Sequence, residues 1–429
     1  MNYITEKAAS RLEFWTFIIF CLSTIFIVIF SVEAIYKWPA LIKQTSILVA
    51  CLLPAGLILF RQITNWSSQK KVPKEILWIF ILFVFGVISS LLSETTWASL
   101  RSATLFILSG PLIFYVSRNL FKKTNNLKPF LWLLCLILLF LCSFGVYEYL
   151  YYYRHSGGIH LFSRNPLPAG ALLILLSAGP MILLSQENIL VKKFFLSICL
   201  IFATALIFLI AKKGPLLGLA IIILLLAFSI NKRFMRLLVF LLVLAGVILF
   251  FSDSMRSKYK TNFYHESSIS LRAENYFFGF HVFKNNPFFG IGLNTDLSQY
   301  LNDYEMRFAD KISKDQYSQF VQTQKTLENI IMEFLVEMGG LFTISYFGGV
   351  IYILVRSFSS IRTQPDERMS GIFIFSIIIG FIVISFTFDT LKFPNLNWLF
   401  HSLLGLMVNS FTIDPIEKKK MMLNNAIIP

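Results

Sequence analysis

The sequence predicts an all-α, polytopic membrane bundle of about twelve transmembrane helices with one long, partly helical extracytoplasmic loop. Three observations carry this. Apolar runs of 17 or more residues recur along the chain, each long enough to cross about 30 Å of hydrocarbon. Hydrophobic residues make up 56% of the 429 and charged residues only 14%, where a soluble domain carries roughly a quarter charged. The runs are continuously apolar rather than alternating, which excludes a transmembrane barrel.

The spans fall near 14–30, 45–60, 76–93, 98–117, 130–152, 169–185, 194–211, 215–230, 234–251, 327–355, 370–388 and 396–412. No small-residue cleavage site follows the first, so it is expected to remain as a helix rather than be removed as a signal peptide. The fourth is the weakest, since it carries Arg101 and Gly110-Pro111. Connections are short except one, Asp253 to Thr326. The chain therefore divides into nine helices with short loops over 1–252, a loop over 253–326, three helices over 327–412 and a tail over 413–429.

Lysine and arginine placement sets the orientation. With both termini in the cytoplasm, the cytoplasmic segments hold 21 of the 38 basic residues against 8 acidic ones. The basic balance is thus a topology signal, and it does not argue for nucleic acid, which wants a clustered basic surface on a folded domain. The loop 253–326 then lies outside with nine basic and eight acidic residues, a mixed charge that suits a folded cap. Within it Leu271–Lys284 is patterned as a helix. The five cysteines all sit in apolar spans and form neither a disulfide framework nor a metal spacing. The histidines 155, 160, 265, 281 and 401 show no paired spacing, and no phosphate-binding loop, dinucleotide fingerprint or nucleophile elbow is present. No cofactor is expected.

The informative polar residues stand at the outer membrane edge. Lys212-Lys213-Gly214-Pro215 joins the seventh and eighth spans with almost no polar margin. It reads as an anion site at the start of a helix, or as a snorkelling pair. Arg272 opens an aromatic helix carrying Tyr276, Phe277, Phe280 and Phe283. Its guanidinium suits bidentate phosphate binding, or a salt bridge to Glu274 or Glu266. Glu328-Asn329 stands at the mouth of the tenth span, with Glu333 and Glu337 farther in; Glu328 is either a helix cap or a catalytic base. Arg154 and Arg164 in the shorter outer loop, and Arg101 one turn inside the fourth span, could reach the same phosphate or glycan. These cations converging on one carboxylate suit an anionic, lipid-linked substrate.

Three stretches resemble the O-antigen ligase and O-antigen polymerase superfamily of bacterial inner membranes. Ala211-Lys212-Lys213-Gly214-Pro215-Leu216-Leu217-Gly218 is similar to the family's helix-start motif. Leu271-Arg272-Ala273 through Asn286-Pro287-Phe288-Phe289-Gly290-Ile291-Gly292 is similar to its loop motif. Leu327-Glu328-Asn329 to Glu337-Met338-Gly339-Gly340 is similar to its His-Asn, nine residues, Gly signature. Two positions depart: the ligases carry histidine where Glu328 stands and arginine where Lys213 stands. The resemblance implies a metal-independent, inverting glycosyl transfer from a polyprenyl-diphosphate-linked glycan, on the periplasmic face of the inner membrane. Arg272 and Lys213 would hold the diphosphate, with Lys212, Arg164, Arg154 and Arg101 assisting; Glu328 would act as base, with Asn329 orienting it. The partners implied are a lipid-linked oligosaccharide or polysaccharide donor, a glycolipid or glycan acceptor, and membrane lipids. Ligation to lipid A-core and polymerisation of repeats are both consistent with this pattern. A transporter is the reading from another class; it would show repeated halves, and no convincing internal repeat is visible.

Overall fold

The structure, a computed structural model, describes residues 2–30, 40–64, 74–121, 126–151, 159, 161, 166–210, 212–229, 266–311, 313–324, 326–363 and 368–411. The expected span 234–251, the tail from 413, and Arg154, Arg164, His155, His160 and His265 lie outside the described residues. The helices are α1 (Asn2–Ile25), α2 (Ala40–Thr64), α3 (Lys74–Leu91), α4 (Thr96–Ser109), α5 (Pro111–Leu120), α6 (Leu127–Tyr151), α7 (Pro166–Leu176), α8 (Ala178–Gln186), α9 (Leu190–Ile210), α10 (Lys213–Ser229), α11 (Glu266–Asn285), α12 (Lys314–Gln324), α13 (Ile330–Thr363), α14 (Arg368–Ser385) and α15 (Pro394–Phe411). Among the described residues there is no strand, and eight stretches are long and apolar enough to span a bilayer. This is a polytopic helical membrane protein.

Two expected spans are each built from two helices. The fourth breaks at Gly110-Pro111, because Pro111 has no N–H to continue the hydrogen-bond ladder. Asn397 of α15 fills the break: its Nδ2 donates to the Phe106 carbonyl at 2.9 Å and to Ser109 Oγ at 3.0 Å. A backbone group freed inside an apolar bundle needs such a partner. The sixth span breaks at Ser177, which joins α7 to α8. Helix α15 is buried from Asn395 to Met407 and packs on α5, α14 and α7. His401 sits in this core, its Nε2 3.1 Å from Tyr346 Oη. The close crossing of α10 on α14 places Gly218 against Gly380, the small-residue contact on which membrane helices approach.

The described part of the long polar segment is not an irregular loop. Helix α11, a 3₁₀ turn at Leu297–Leu301 and α12 enclose their own apolar core of Phe278, Val282, Leu297, Leu301, Tyr304 and Tyr317. Glu274 is fully buried there. Its carboxylate accepts from Tyr304 Oη and from the Arg307 and Phe308 amides at 2.9 and 2.8 Å, so it pins the 304–308 turn.

This cap locks onto α13 by exchanging backbone hydrogen bonds. At Gly339 (φ 78°) α13 is unwound. The Ile291 and Gly292 amides donate to the Val336 and Glu337 carbonyls at 3.0 and 2.7 Å, while Gly340 and Leu341 donate to Pro287 and Phe288 at 2.8 and 3.3 Å. In an uninterrupted helix Gly340 and Leu341 would have donated to Val336 and Glu337. The turn from Asn286 to Gly292 therefore replaces a helical turn, leaving these amides and carbonyls partnered. A side chain on Gly339 would stand 2.3 Å from the Phe288 carbonyl, and φ there lies in the left-handed region. The Asn-Pro and Gly-x-Gly motif is thus the clamp that fixes the cap.

Candidate active site

The first turn of α13 joins three elements through one side chain. Asn329 is the N-cap: its Oδ1 accepts from the Ile331 and Met332 amides, both at 3.0 Å. Its Nδ2 donates to Tyr276 Oη of α11 at 2.8 Å and to the Phe386 carbonyl, after α14, at 3.0 Å. The capping role considered for Glu328 therefore belongs to its neighbour. Glu328 stands outside the helix with φ 53°, a left-handed conformation uncommon for a non-glycine residue.

Arg272 and Glu328 meet. The Arg272 Nε donates to Glu328 Oε2 at 3.3 Å, across 56 residues of chain, and both side chains keep partial access, 33% and 20%. The alternative pairing of Arg272 with Glu274 does not occur, because Glu274 points into the cap core. Lys213, the first residue of α10, is close enough to Arg272 for the two charges to interact. Its helix start is seated on the connection after α14: a side chain on Gly214 would stand 2.2 Å from Thr387 Oγ1. Lys213-Gly214 thus touches Thr387, Phe386 holds Asn329, and Asn329 follows Glu328, which holds Arg272. Lys212 is half-buried just before α10. Arg101 is exposed on α4 and makes no ion pair or hydrogen bond with this group among the described residues.

Beneath Glu328 lies a buried charge cluster that the sequence reading did not assemble. Lys392 Nζ contacts Glu333 Oε1 and lies 2.9 and 2.8 Å from Glu337 Oε1 and Oε2. Glu333 Oε2 accepts from the Leu327 amide at 2.6 Å and Glu337 Oε1 from the Asn294 amide at 3.0 Å. The cluster thereby ties the mouth of α13 to the cap and to the α14–α15 connection. Burial opposes the Lys392 ammonium, but the charges of Glu333, Glu337 and Asp389 outweigh it and hold its pKa above the ordinary lysine range. Asp389 is buried beside them and its Oδ1 has no hydrogen-bond partner. Burial, with the charge of Glu333 added, pushes its carboxyl up to about 7 against the pull of Lys392.

That shift has a sign that can be measured. Between the ordinary value of 3.8 and about 7, the folded protein binds a proton at Asp389 that the unfolded chain releases. The contribution of this group to stability is therefore expected to fall as pH rises through that window and to be lost above it. Asp389→Asn should flatten the slope, measured as thermal unfolding of the solubilised protein across it.

The site offers two cations and one accessible carboxylate at the junction of cap and bundle, backed by a buried cluster of one lysine and three carboxyls. Such a group can hold an anionic leaving group and accept a proton from a hydroxyl. Among the described residues no group of three or more His, Cys, Asp or Glu is placed to hold a metal ion. The signal that could have found the deeper cluster was Glu333 and Glu337, four residues apart and so on one face of an apolar helix.

Residues 198–347 match the family model described as O-antigen ligase. The matched region contains Lys213, Arg272, Glu328, Asn329 and the Gly339 unwinding. No curated protein matches the chain. The family performs ligase- or polymerase-type glycosyl transfer on lipid-linked glycans. Through this region, which is less than half of the chain, the protein is similar to the O-antigen ligase family, and its described helices are those of a multi-pass membrane protein.

Proposed function

We propose that the protein is a metal-independent, inverting glycosyltransferase that moves a glycan from a polyprenyl diphosphate to an acceptor hydroxyl, as an O-antigen ligase acting on lipid A-core. The observation that carries this reading is the Arg272–Glu328 pair beside Lys213, inside the segment matched to the ligase family. We place this junction on the periplasmic face of the bacterial inner membrane, with both termini cytoplasmic, because the basic residues concentrate at the opposite helix ends.

Outside the cytoplasmic membrane there is no nucleotide pool, so the donor brings its own leaving group. The acceptor oxygen attacks the anomeric carbon from the face opposite the diphosphate. The bond from that carbon to the diphosphate oxygen breaks, and its electron pair leaves with the polyprenyl diphosphate. The hydroxyl proton passes to the Glu328 carboxylate, a general-base contribution of about 10²–10⁴-fold. Arg272 and Lys213 stabilise the charge that grows on the leaving diphosphate, assisted by Lys212 and, from outside the described residues, by Arg164 and Arg154.

The ion pair adds a sequence to these events. The Arg272 guanidinium occupies one oxygen of Glu328. A diphosphate is a stronger bidentate partner for it. Donor binding would draw Arg272 away and release Glu328 as base, so the acceptor is activated when a donor is present. Asn329 keeps Glu328 in place throughout, because its own hydrogen bonds go to the helix, the cap and the α14–α15 connection.

A second reading, polymerase, is favoured by one residue: Glu328 stands where the ligases keep histidine. A deletion strain separates the two. Loss of a ligase leaves uncapped lipid A-core and accumulated lipid-linked polymer; loss of a polymerase leaves core bearing single repeats. A normal polysaccharide ladder in the deletion strain would contradict both.

A further inference from the structure

A second site lies at the far end of the same bundle. A cavity of about 200 Å³ opens between α3, α5, α13 and α15. From Glu333 at the active-site junction to Arg356 at this cavity, α13 runs roughly 35 Å at 1.5 Å per residue. Three basic residues, Lys74, Arg118 and Arg356, line it against one acid, Glu75, which pairs with Arg118. The remaining wall is apolar and aromatic, including Trp78, Phe114 and Tyr352. The Trp78 indole N–H is already donated to the Ser345 carbonyl at 2.9 Å, so the ring presents only its apolar surface.

We propose that this cavity binds the phosphate of an anionic glycerophospholipid from the surrounding bilayer. The cations supply the phosphate contacts, with a net charge of two in their favour. The volume admits a phosphodiester and its glycerol and leaves the acyl chains in the membrane. The flanking surface says where the ligand comes from. Leu77 and Phe80 on α3, and Ile351, Tyr352 and Val355 on α13, are each more than half exposed. Such faces belong against hydrocarbon, and a basic pocket between helix ends at that level is where lipid head groups bind. A lipid seated there would bridge α3, α5 and α13 and steady the bundle from the end opposite the chemistry.

The test uses the full-length protein, purified and delipidated in a neutral detergent. Retention of phosphatidylglycerol is read by native mass spectrometry and its stabilising effect by thermal unfolding. Phosphatidylethanolamine and inorganic phosphate serve as separate probes. The double variant K74Q/R356Q changes two exposed side chains and leaves the Arg118–Glu75 pair intact. Phosphatidylglycerol is expected to be retained and to raise the unfolding temperature, and to bind about 10- to 30-fold more weakly to the double variant. Equal binding by the variant, equal binding of phosphatidylethanolamine, or full replacement of the effect by inorganic phosphate would each overturn the proposal. None of these readouts depends on glycan transfer.

Discussion

Lys392→Met is expected to prevent the protein from accumulating in folded form. The ammonium is the counter-charge for Glu333 and Glu337, both fully buried, and it also opposes Asp389. Methionine fills a similar volume but leaves these carboxyls facing one another without a cation. Breaking a buried pair by removing one partner costs about 3–5 kcal/mol, a large share of the roughly 5–15 kcal/mol that holds a domain together. The damage would fall on the active-site junction first. Glu333 and Glu337 hold the Leu327 and Asn294 amides, so the mouth of α13 and the cap would lose their common anchor. Yield of monodisperse protein by size-exclusion chromatography and its unfolding temperature check this. A Lys392→Met protein with wild-type yield and stability would show that Lys392 is not the counter-ion. Glu337→Gln keeps Lys392 paired with Glu333 and should be tolerated better.

Arg272→Lys is expected to keep the fold and lower transfer about 10- to 100-fold, and Arg272→Gln further still. Lysine preserves the charge but loses the planar fork that binds two phosphate oxygens at once. Removing one preorganised donor to a developing anion typically costs about 10²–10³-fold in rate. The side chain is a third exposed and sits at the edge of the cap, so the cap core of Phe278, Tyr304 and Tyr317 does not depend on it. The loss should appear in kcat as well as in donor affinity, because the charge it meets grows as the diphosphate departs. Wild-type turnover by Arg272→Lys would remove the bidentate role.

The bundle was legible in the sequence because a bilayer demands long, uninterrupted apolar runs, and these stand out without an alignment. Gly110-Pro111 marked the fourth span as the weakest, and the structure breaks it there, since proline cannot continue the ladder. Asn397, which fills that break, was not legible: it lies nearly 300 residues away and only tertiary packing brings it there. Arg272, Lys213 and Glu328 were singled out because each charge stands at a membrane edge. Their meeting depends on Asn329, whose bonds to Tyr276 and Phe386 join elements that are distant in the chain. The polar segment read as a cap by its near-neutral charge, and its helix over Leu271–Lys284 lies within α11. The exchange of hydrogen bonds at Gly339 was hidden, because Gly290-Ile291-Gly292 and Gly339-Gly340 carry meaning only as facing partners. Lys392 and Asp389 were passed over because a lysine and an aspartate between two apolar spans look like ordinary membrane-edge charges. Burial against Glu333 and Glu337 is what makes them structural.

In the proposed mechanism Glu328 accepts the acceptor's proton at a junction built by Arg272, Lys213 and Asn329. The most direct measurement is the turnover of Glu328→Gln in liposomes supplied with a polyprenyl-diphosphate-linked glycan and acceptor, at matched protein amount and unfolding temperature. Glutamine keeps the shape and can still face Arg272, but it cannot take up the proton. Turnover at least about 100-fold below wild type, with donor binding retained, is the expected result. Wild-type turnover by Glu328→Gln would rule out Glu328 as the base.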